Sequence, residues 1–507
     1  MISEIDTGPF TACPEPFNMA DHVLQAGRAT PDKVALSVIN DDTSEDWTFA
    51  ELETAIRGVA AGLLAQGLTA GDRVLMRLGN TPEFPICYLA SIAVGLIPVP
   101  TSSQLTSTEI SKIAKEIDPA LIVADHGIAL PDHTAPVLMA SDLQAFHSLD
   151  PAPFDFGSST RPAYIIYTSG TSGKPRAVVH AHRAVWARQM MWTGWYDLRP
   201  TDRLMHAGAF NWTYTLGTGL MDPWAAGATA LIPANGTKPT DLPTLITAHQ
   251  ATLIAAAPGV YRQMLRTDIP AMPSLRHGFS AGEKLPESLR NTWTAATGTN
   301  LYEAYGMSEC STFLSSSPSR PAPSGTLGFP QKGRRIALID EKSPVPIGSA
   351  GTIAVHKSDL GLMIGYLDQP DETAARFVGD WFLTGDVGRM SEDGAIKYEG
   401  RADDMMNAGG YRVSPVEVEE ALATHPDIHE VAASEVTVKA DTTVIAAFYT
   451  STKEIETDTL EAFAASRIAR YKCPRIFVRV SVLPRGANNK LLRRNLRADW
   501  EAKHGQA

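Results

Sequence analysis

Cysteine is scarce: Cys13, Cys87, Cys310 and Cys473 are the four in 507 residues, far apart and with no CxxC pair. A disulfide framework and a zinc knuckle are therefore not expected, and a reducing compartment fits best. A basic surplus is missing too. With 44 Lys+Arg against 56 Asp+Glu the formal net charge is −12, so nothing neutralises phosphates in bulk and nucleic acid is not expected as a partner. The longest apolar stretch, Tyr88 to Pro100, is too short to span a bilayer and ends in Pro98 and Pro100. The first twenty residues carry Glu4 and Asp6 and lack an apolar h-region, so no secretory signal is expected. No period of about 20–50 residues recurs, which removes solenoids and propellers. What is there is 44% hydrophobic and 20% charged, ordinary for a chain with a large core. The expectation is a soluble, cytoplasmic protein of about two to four domains.

From about residue 30 to 250, short β-rich runs (Val34–Ile39, Arg73–Leu78, Ala120–Ala124, Arg203–His206) alternate with helical spacing over Thr48–Gln66, Pro82–Val94 and Thr106–Ile117. That alternation predicts parallel βαβ layers. Residues 315–400 are rich in Gly and Pro, with short strand patterns at Arg335–Ile339, Gly351–Val355 and Ala395–Tyr398, which predicts a compact β subdomain. Beyond Arg401 the pattern changes again. Ser414-Pro415-Val416-Glu417 reads as a capping box opening a helix that stops before Pro426. Strands Glu430–Lys439 and Thr443–Thr450, a helix over Leu460–Ala469 and strand Arg475–Val482 follow. The fold class expected is α/β: a large N-terminal domain over residues 1–402, β subdomain included, and a small mobile α+β domain over 403–507.

The densest chemical signal is Tyr167-Thr168-Ser169-Gly170-Thr171-Ser172-Gly173-Lys174-Pro175-Arg176, which leaves the apolar run Ala163–Ile166. Glycines let the backbone approach a polyphosphate, hydroxyls and N–H groups donate to it, and Lys174 supplies charge. It is not a Walker A loop, because two residues separate the glycines and Pro175 stands where Ser or Thr is required. A Ser/Gly linker would not sit directly after a buried strand or end in Lys-Pro-Arg. A rival signal is Gly278-Phe279-Ser280-Ala281-Gly282, which matches the G-x-S-x-G nucleophile elbow and has histidines downstream at 425, 429 and 504. Such patterns of small residues recur by chance. His425 and His429 have ligand spacing, yet Pro426 lies between them and a metal site there is improbable.

The hydroxyl-rich loop resembles the phosphate-binding signature of the acyl-adenylate-forming superfamily, although Pro175-Arg176-Ala177 stands where its members have Pro-Lys-Gly. Further segments match that family in order. Tyr302-Glu303-Ala304-Tyr305-Gly306-Met307-Ser308-Glu309 is similar to its adenylate loop. The resemblance implies that Tyr305 stacks on adenine, Ser308 contacts the α-phosphate and Glu309 holds Mg²⁺. A carboxylate beside a triphosphate is repulsive unless a cation lies between, which agrees. Gly282 and Glu283 belong to a loop used against adenine. Thr384-Gly385-Asp386 and Gly400-Arg401 resemble the ribose-binding segments, where a carboxylate accepts from two vicinal hydroxyls. Asp403 resembles the hinge, and Gly409 and Gly410 the loop lining the pantetheine tunnel. Lys490, in Leu483–Lys490, is implied as the adenylation lysine, with Asn489 where members carry glycine. Arg493, Arg494 and Arg497 read as a solvated basic face.

The activity implied is that of an AMP-forming carboxylic acid:CoA ligase, nearest in look to benzoate and medium-chain acyl-CoA ligases, using ATP, Mg²⁺ and coenzyme A. Phe210, Trp212 and Tyr214 occupy the place of the family's acyl-pocket helix and suggest an aryl or short-to-medium acid, core packing being the competing reading. Adenylation for a carrier protein and a luciferase-like oxygenase share the motifs. The first is disfavoured because no carrier domain follows residue 507; a non-catalytic homologue would be expected to lose Lys490 or Glu309. A homodimer is left open.

Overall fold

The computed structural model describes residues 1–41, 43–168, 176–408, 411–439, 442–486 and 491–504. Two parallel sheets form its frame. The smaller has the order Ile97–Pro100, Arg73–Arg77, Leu121–Ala124, Val137–Met139, all parallel. The larger runs Phe329–Pro330, Ser311–Ser315, Asn300–Met307, His277–Ser280, Leu253–Ala256, Arg203–His206, Thr229–Pro233, Val34–Ile39, Ser44–Thr48. Its interior is parallel, and antiparallel strands close both ends. Several of these strands are buried at every residue, Leu121–Ala124 and Leu253–Ala256 among them. Such strands need cover on both faces, and helices supply it.

Helices Met19–Gln25, Phe49–Ala65 and Glu83–Ala93 fill the space between the two sheets. Their apolar sides meet Ala230 and Ile232 of the larger sheet and Val74, Met76, Leu121 and Val123 of the smaller. The opposite face of the larger sheet packs on helices Leu242–Ala248, Pro258–Met264 and Glu287–Thr297 through Leu245, Tyr261, Met264 and Trp293. Local chemistry sets the helix starts. Thr48 accepts from the Glu51 backbone N–H while the Glu51 carboxylate returns to the Thr48 N–H at 2.8 Å, a reciprocal cap that Thr106 and Glu109 repeat.

Pro162–Thr168 pairs antiparallel with Arg176–Ala181, Thr168 opposite Arg176, so the segment between them joins two strands of a hairpin. The β subdomain has a sheet built on Arg335–Asp340, Ala350–His356, Trp381–Met390 and Ile396–Arg401, and the chain's start, Glu4–Asp6, adds an edge strand to it.

Beyond Arg401 lies a separate core. Met406, Val413, Val418, Leu422, Ile445 and Leu460 pack together, and Ala432, Phe448, Leu483 and Leu496 form a second cluster; neither includes a residue before 406. The helix at Pro415 starts as expected, with Ser414 Oγ accepting from the Glu417 N–H at 3.2 Å, and ends at Leu422. The cap is one-sided, because the Glu417 carboxylate pairs with Lys472 instead. The helix Arg493–His504, packed on strand Glu430–Lys439, was not expected. Among the described residues no helix is long and apolar enough to cross a membrane.

Candidate active site

The adenylate-loop residues lie on one antiparallel hairpin, Asn300–Met307 with Ser311–Ser315. Gly306 makes its tightness possible, since a Cβ there would collide with the Ser311 carbonyl oxygen. Tyr305 packs its ring edge-on to Phe313 at 5.3 Å and beside Tyr398 at 6.0 Å, and its hydroxyl donates to Asp386 Oδ2. Asp386 Oδ1 lies 3.2 Å from Arg401 Nη1, and Arg401 Nε lies 3.6 Å from Asp403 Oδ1. Burial works against the Arg401 charge, but Asp386 and Asp403 outweigh it and raise the pKa. Thus Tyr305, Asp386, Arg401 and Asp403, spread over about a hundred residues of sequence, form one polar chain.

Glu309 is buried in the turn of that hairpin. Tyr366 donates its hydroxyl proton to Glu309 Oε1 at 2.9 Å, and the Glu309 carbonyl accepts from the Met363 N–H at 2.7 Å. Oε2 accepts no hydrogen bond from the described residues, so one hard carboxylate oxygen stays available, the donor type that Mg²⁺ takes. The carbonyl of Ser308 lies 2.6 Å from His180 Nε2. Burial pushes His180 down to about 4, so its ring is neutral and its Nε2–H serves as the donor. It stacks on Tyr164 at 4.9 Å. Nothing in the order of residues singles out His180, which lies 128 positions from its partner.

Glu303 has a supporting place. Its carboxylate accepts the Leu285 N–H at 2.8 Å and meets Arg290 Nη2 at 3.4 Å, tying the loop that carries Gly282 and Glu283 to the neighbouring strand. Burial pushes its pKa up to about 7. Ala304 faces the aromatic cluster. Gly282 has φ +91° and lies under Trp212, whose Cζ2 would be 2.6 Å from a Cβ there, so glycine is required on both counts. Glu283 Oε1 faces Arg485 Nη1 at 3.6 Å, and Arg485 Nη2 meets Glu430 Oε1 at 2.7 Å. Arg485 also bridges antiparallel to Leu491.

Trp212 and Tyr214 meet edge-on at 5.1 Å and join Trp195, Phe279, Ala281 and Ala304 in a cluster next to the Gly282 loop. Phe210 does not join them. It is buried against Phe84, 5.6 Å away, among the helices between the sheets, because the turn before Tyr214 directs it the other way. Arg493 is not a freely solvated arginine either; it is half-buried and pairs with Glu419 and Asp404. Arg494 and Arg497 are half-exposed and pair with Asp403 and Glu501. Ser280, the candidate elbow serine, has its Oγ buried without a hydrogen-bond partner, so no histidine is poised to activate it. Thr168 ends its strand. Ser169, Gly170, Thr171, Ser172, Gly173, Lys174, Gly409, Gly410 and Lys490 lie outside the described residues. Strands Met406–Ala408 and Tyr411–Val413 pair on either side of the two glycines.

Comparison with known proteins decides the family. Residues 23–367 match the AMP-binding enzyme family, and residues 417–490 match the AMP-binding enzyme C-terminal domain. The chain belongs to the AMP-binding enzyme family. It is 32% identical to acyl-coenzyme A synthetase ACSM2A, mitochondrial, of Homo sapiens, over 96% of this chain and 92% of that one. It is 30% identical to 3-hydroxybenzoate--CoA ligase of Aromatoleum sp. (strain CIB), over 89% and 91%. Among solved structures, a benzoate CoA ligase from Burkholderia xenovorans LB400 superposes with a TM-score of 0.85 at 26% identity, over 95% of this chain and 100% of that one. As an AMP-binding enzyme of the acyl-CoA synthetase superfamily, the protein is an AMP-forming acid–thiol ligase. ATP and CoA fit that class as substrates.

Proposed function

We propose that the protein joins a carboxylic acid, aryl or short-to-medium in chain, to coenzyme A in two half-reactions. The acid and ATP give acyl-AMP and pyrophosphate; the CoA thiol then displaces AMP to give the thioester. A carboxylate has no good leaving group for a thiol, and adenylation supplies one. The observation that carries this reading is the polar chain Tyr305–Asp386–Arg401, its Tyr305 on the same hairpin as the buried Glu309, with Arg485 facing Glu283.

In this reading Tyr305 flanks adenine, Gly282 and Glu283 border it, and Asp386, beside Arg401, receives the ribose hydroxyls. Thr168 and the loop through Lys174 wrap the phosphates. Ser308 is aimed at the α-phosphate by the His180 bond to its carbonyl. Glu309 would hold Mg²⁺, whose charge lowers the repulsion between carboxylate and triphosphate. Lys490 adds a second cation at the same place, where charge stabilisation acts most strongly on the barrier. Trp212 and Tyr214 line the acid's pocket.

The thiol step requires that Lys490 leave and the arm of CoA enter along Gly409 and Gly410. A boundary at Asp403, between residues 1–402 and 403–507, gives a rotation axis. The absence of a hydrophobic core bridging residue 406 among the described residues supports it. The test is pyrophosphate release across an acid panel, with and without CoA. Acid-dependent release with thioester formation is expected. Release that yields no thioester with any acid contradicts the reading.

A further inference from the structure

At the far end of the aromatic cluster two polar side chains are buried with nothing to bond. His206 ends the strand Arg203–His206, is 0% exposed, and has no hydrogen-bond partner at either Nδ1 or Nε2. Thr215 opens the π-helix Thr215–Met221, is likewise fully buried, and its Oγ1 has no partner. The two converge. A Cβ built on Gly208 would overlap the Thr215 hydroxyl and lie 3.2 Å from His206 Nδ1. A side chain at Gly219 would meet the imidazole from the other flank, 2.7 Å from its Cβ. Two glycines thus keep side chains off two flanks of the imidazole, and Ala255, its register partner, adds only a methyl group.

Leaving three polar atoms without hydrogen bonds in a core is costly, and most cores avoid it. Here a chain of ring contacts connects it to the nucleotide loop: Gly282 against Trp212, Trp212 at 5.1 Å from Tyr214, Tyr214 edge-on to His206 at 4.6 Å. His206 thus lies two aromatic side chains beyond the Gly282 loop. The π-helix itself is a distortion found mostly at functional sites.

We propose that His206 and Thr215 form the specificity-determining polar end of the acid pocket, selecting a carboxylic acid that carries a neutral hydrogen-bonding group, hydroxyl or amine, remote from its carboxylate. The inference rests on the ligase reading above and narrows its substrate. A neutral imidazole offers one donor and one acceptor, and a threonine hydroxyl offers both, which matches a group that donates and accepts. Burial keeps the His206 ring uncharged, its pKa pushed down to about 3. A second carboxylate finds no cation there, because Arg188, on the other flank of the π-helix at Gly217, is already bidentate on Asp222.

The experiment compares kcat/KM for thioester formation with matched acids: benzoate against 3-hydroxy-, 4-hydroxy- and 3-aminobenzoate, and hexanoate against 6-hydroxyhexanoate. Wild type is expected to favour one substituted acid over its parent by about 100-fold or more, since a site built to hydrogen-bond a substituent discriminates strongly against its absence. His206→Leu and Thr215→Val are each expected to bring that ratio down at least about tenfold, and His206→Gln to restore part of it. Ligand-free His206→Leu should melt no lower than wild type, because it removes unpaired polar atoms; a structural role would lower its melting temperature. Parent acids used as well as every substituted one, or a ratio unmoved by both substitutions, overturns the inference and leaves the ligase reading intact. Failure of every acid to release pyrophosphate overturns the ligase reading and the inference with it.

Discussion

Arg485 of the C-terminal region lies 3.6 Å from Glu283 of the nucleotide loop, and the same guanidinium holds Glu430 at 2.7 Å. Arg262, from the N-terminal side, meets that same Glu430 oxygen at 2.9 Å, and Lys284 pairs with Glu420 nearby. The charges alternate between the two regions, so these pairs tie the C-terminal region to the nucleotide loop and to the helix Pro258–Met264. The pairs are partly exposed and weak singly, but as a network they select one docking pose over others.

Glu430→Gln tests that seat. Removing the shared carboxylate leaves Arg262 and Arg485 facing each other, so acid-dependent ATP–pyrophosphate exchange should fall about five- to twentyfold, corresponding to about 1–2 kcal/mol. Exchange at the wild-type rate would mean the network has no part in adenylation.

Glu303 makes stability pH-dependent. Its folded pKa of about 7 lies above the unfolded 4.5, so between those values the folded state holds a proton that the unfolded chain releases. Stability is therefore greatest below about pH 4.5 for this group and is lost as pH rises through 7, by up to roughly 3 kcal/mol. Glu303→Gln keeps the acceptor for Leu285 and removes the titration. Urea denaturation at pH 5 and pH 8 should show a smaller drop for the variant; equal drops would contradict the assignment.

The Arg188–Asp222 pair underlies the π-helix. Asp222 takes two guanidinium bonds, at 2.9 and 2.6 Å, and the Tyr196 hydroxyl at 2.8 Å; Asp222 is buried and Arg188 largely so. Asp222→Ala strands a buried cation and is expected to cost about 3–5 kcal/mol in chemical denaturation. A loss below about 1 kcal/mol would show that the cation finds another partner.

Where apolar runs are long and bounded by turn residues, the chain announces its elements. Val34–Ile39 and Arg203–His206 agree residue for residue with their strands, and the helical spacing over Thr48–Gln66 agrees with the helix Phe49–Ala65. The Arg493–His504 helix was hidden because Leu496 is its only buried residue. Its arginines looked solvated, although Arg493 is held between two acids contributed by elements far off in sequence. The same limit applies at the site. Tyr305, Glu309 and Asp386 can be proposed from sequence because each sits in a motif of several residues. His180 and His206 cannot, since a lone histidine's partner, or lack of one, depends on which strands become neighbours. Phe210 shows the converse, one aromatic in a motif turned into a different core by a single turn.

Lys490→Ala, assayed for both half-reactions, addresses the central claim most directly. Acyl-AMP formation from acid and ATP should fall by about 100-fold or more, as expected when one preorganised charge is removed from a developing anionic transition state. Conversion of supplied acyl-AMP and CoA to thioester should stay within about threefold of wild type, an interval too small to count as loss of transition-state binding. A variant that still makes acyl-AMP at the wild-type rate would contradict the account.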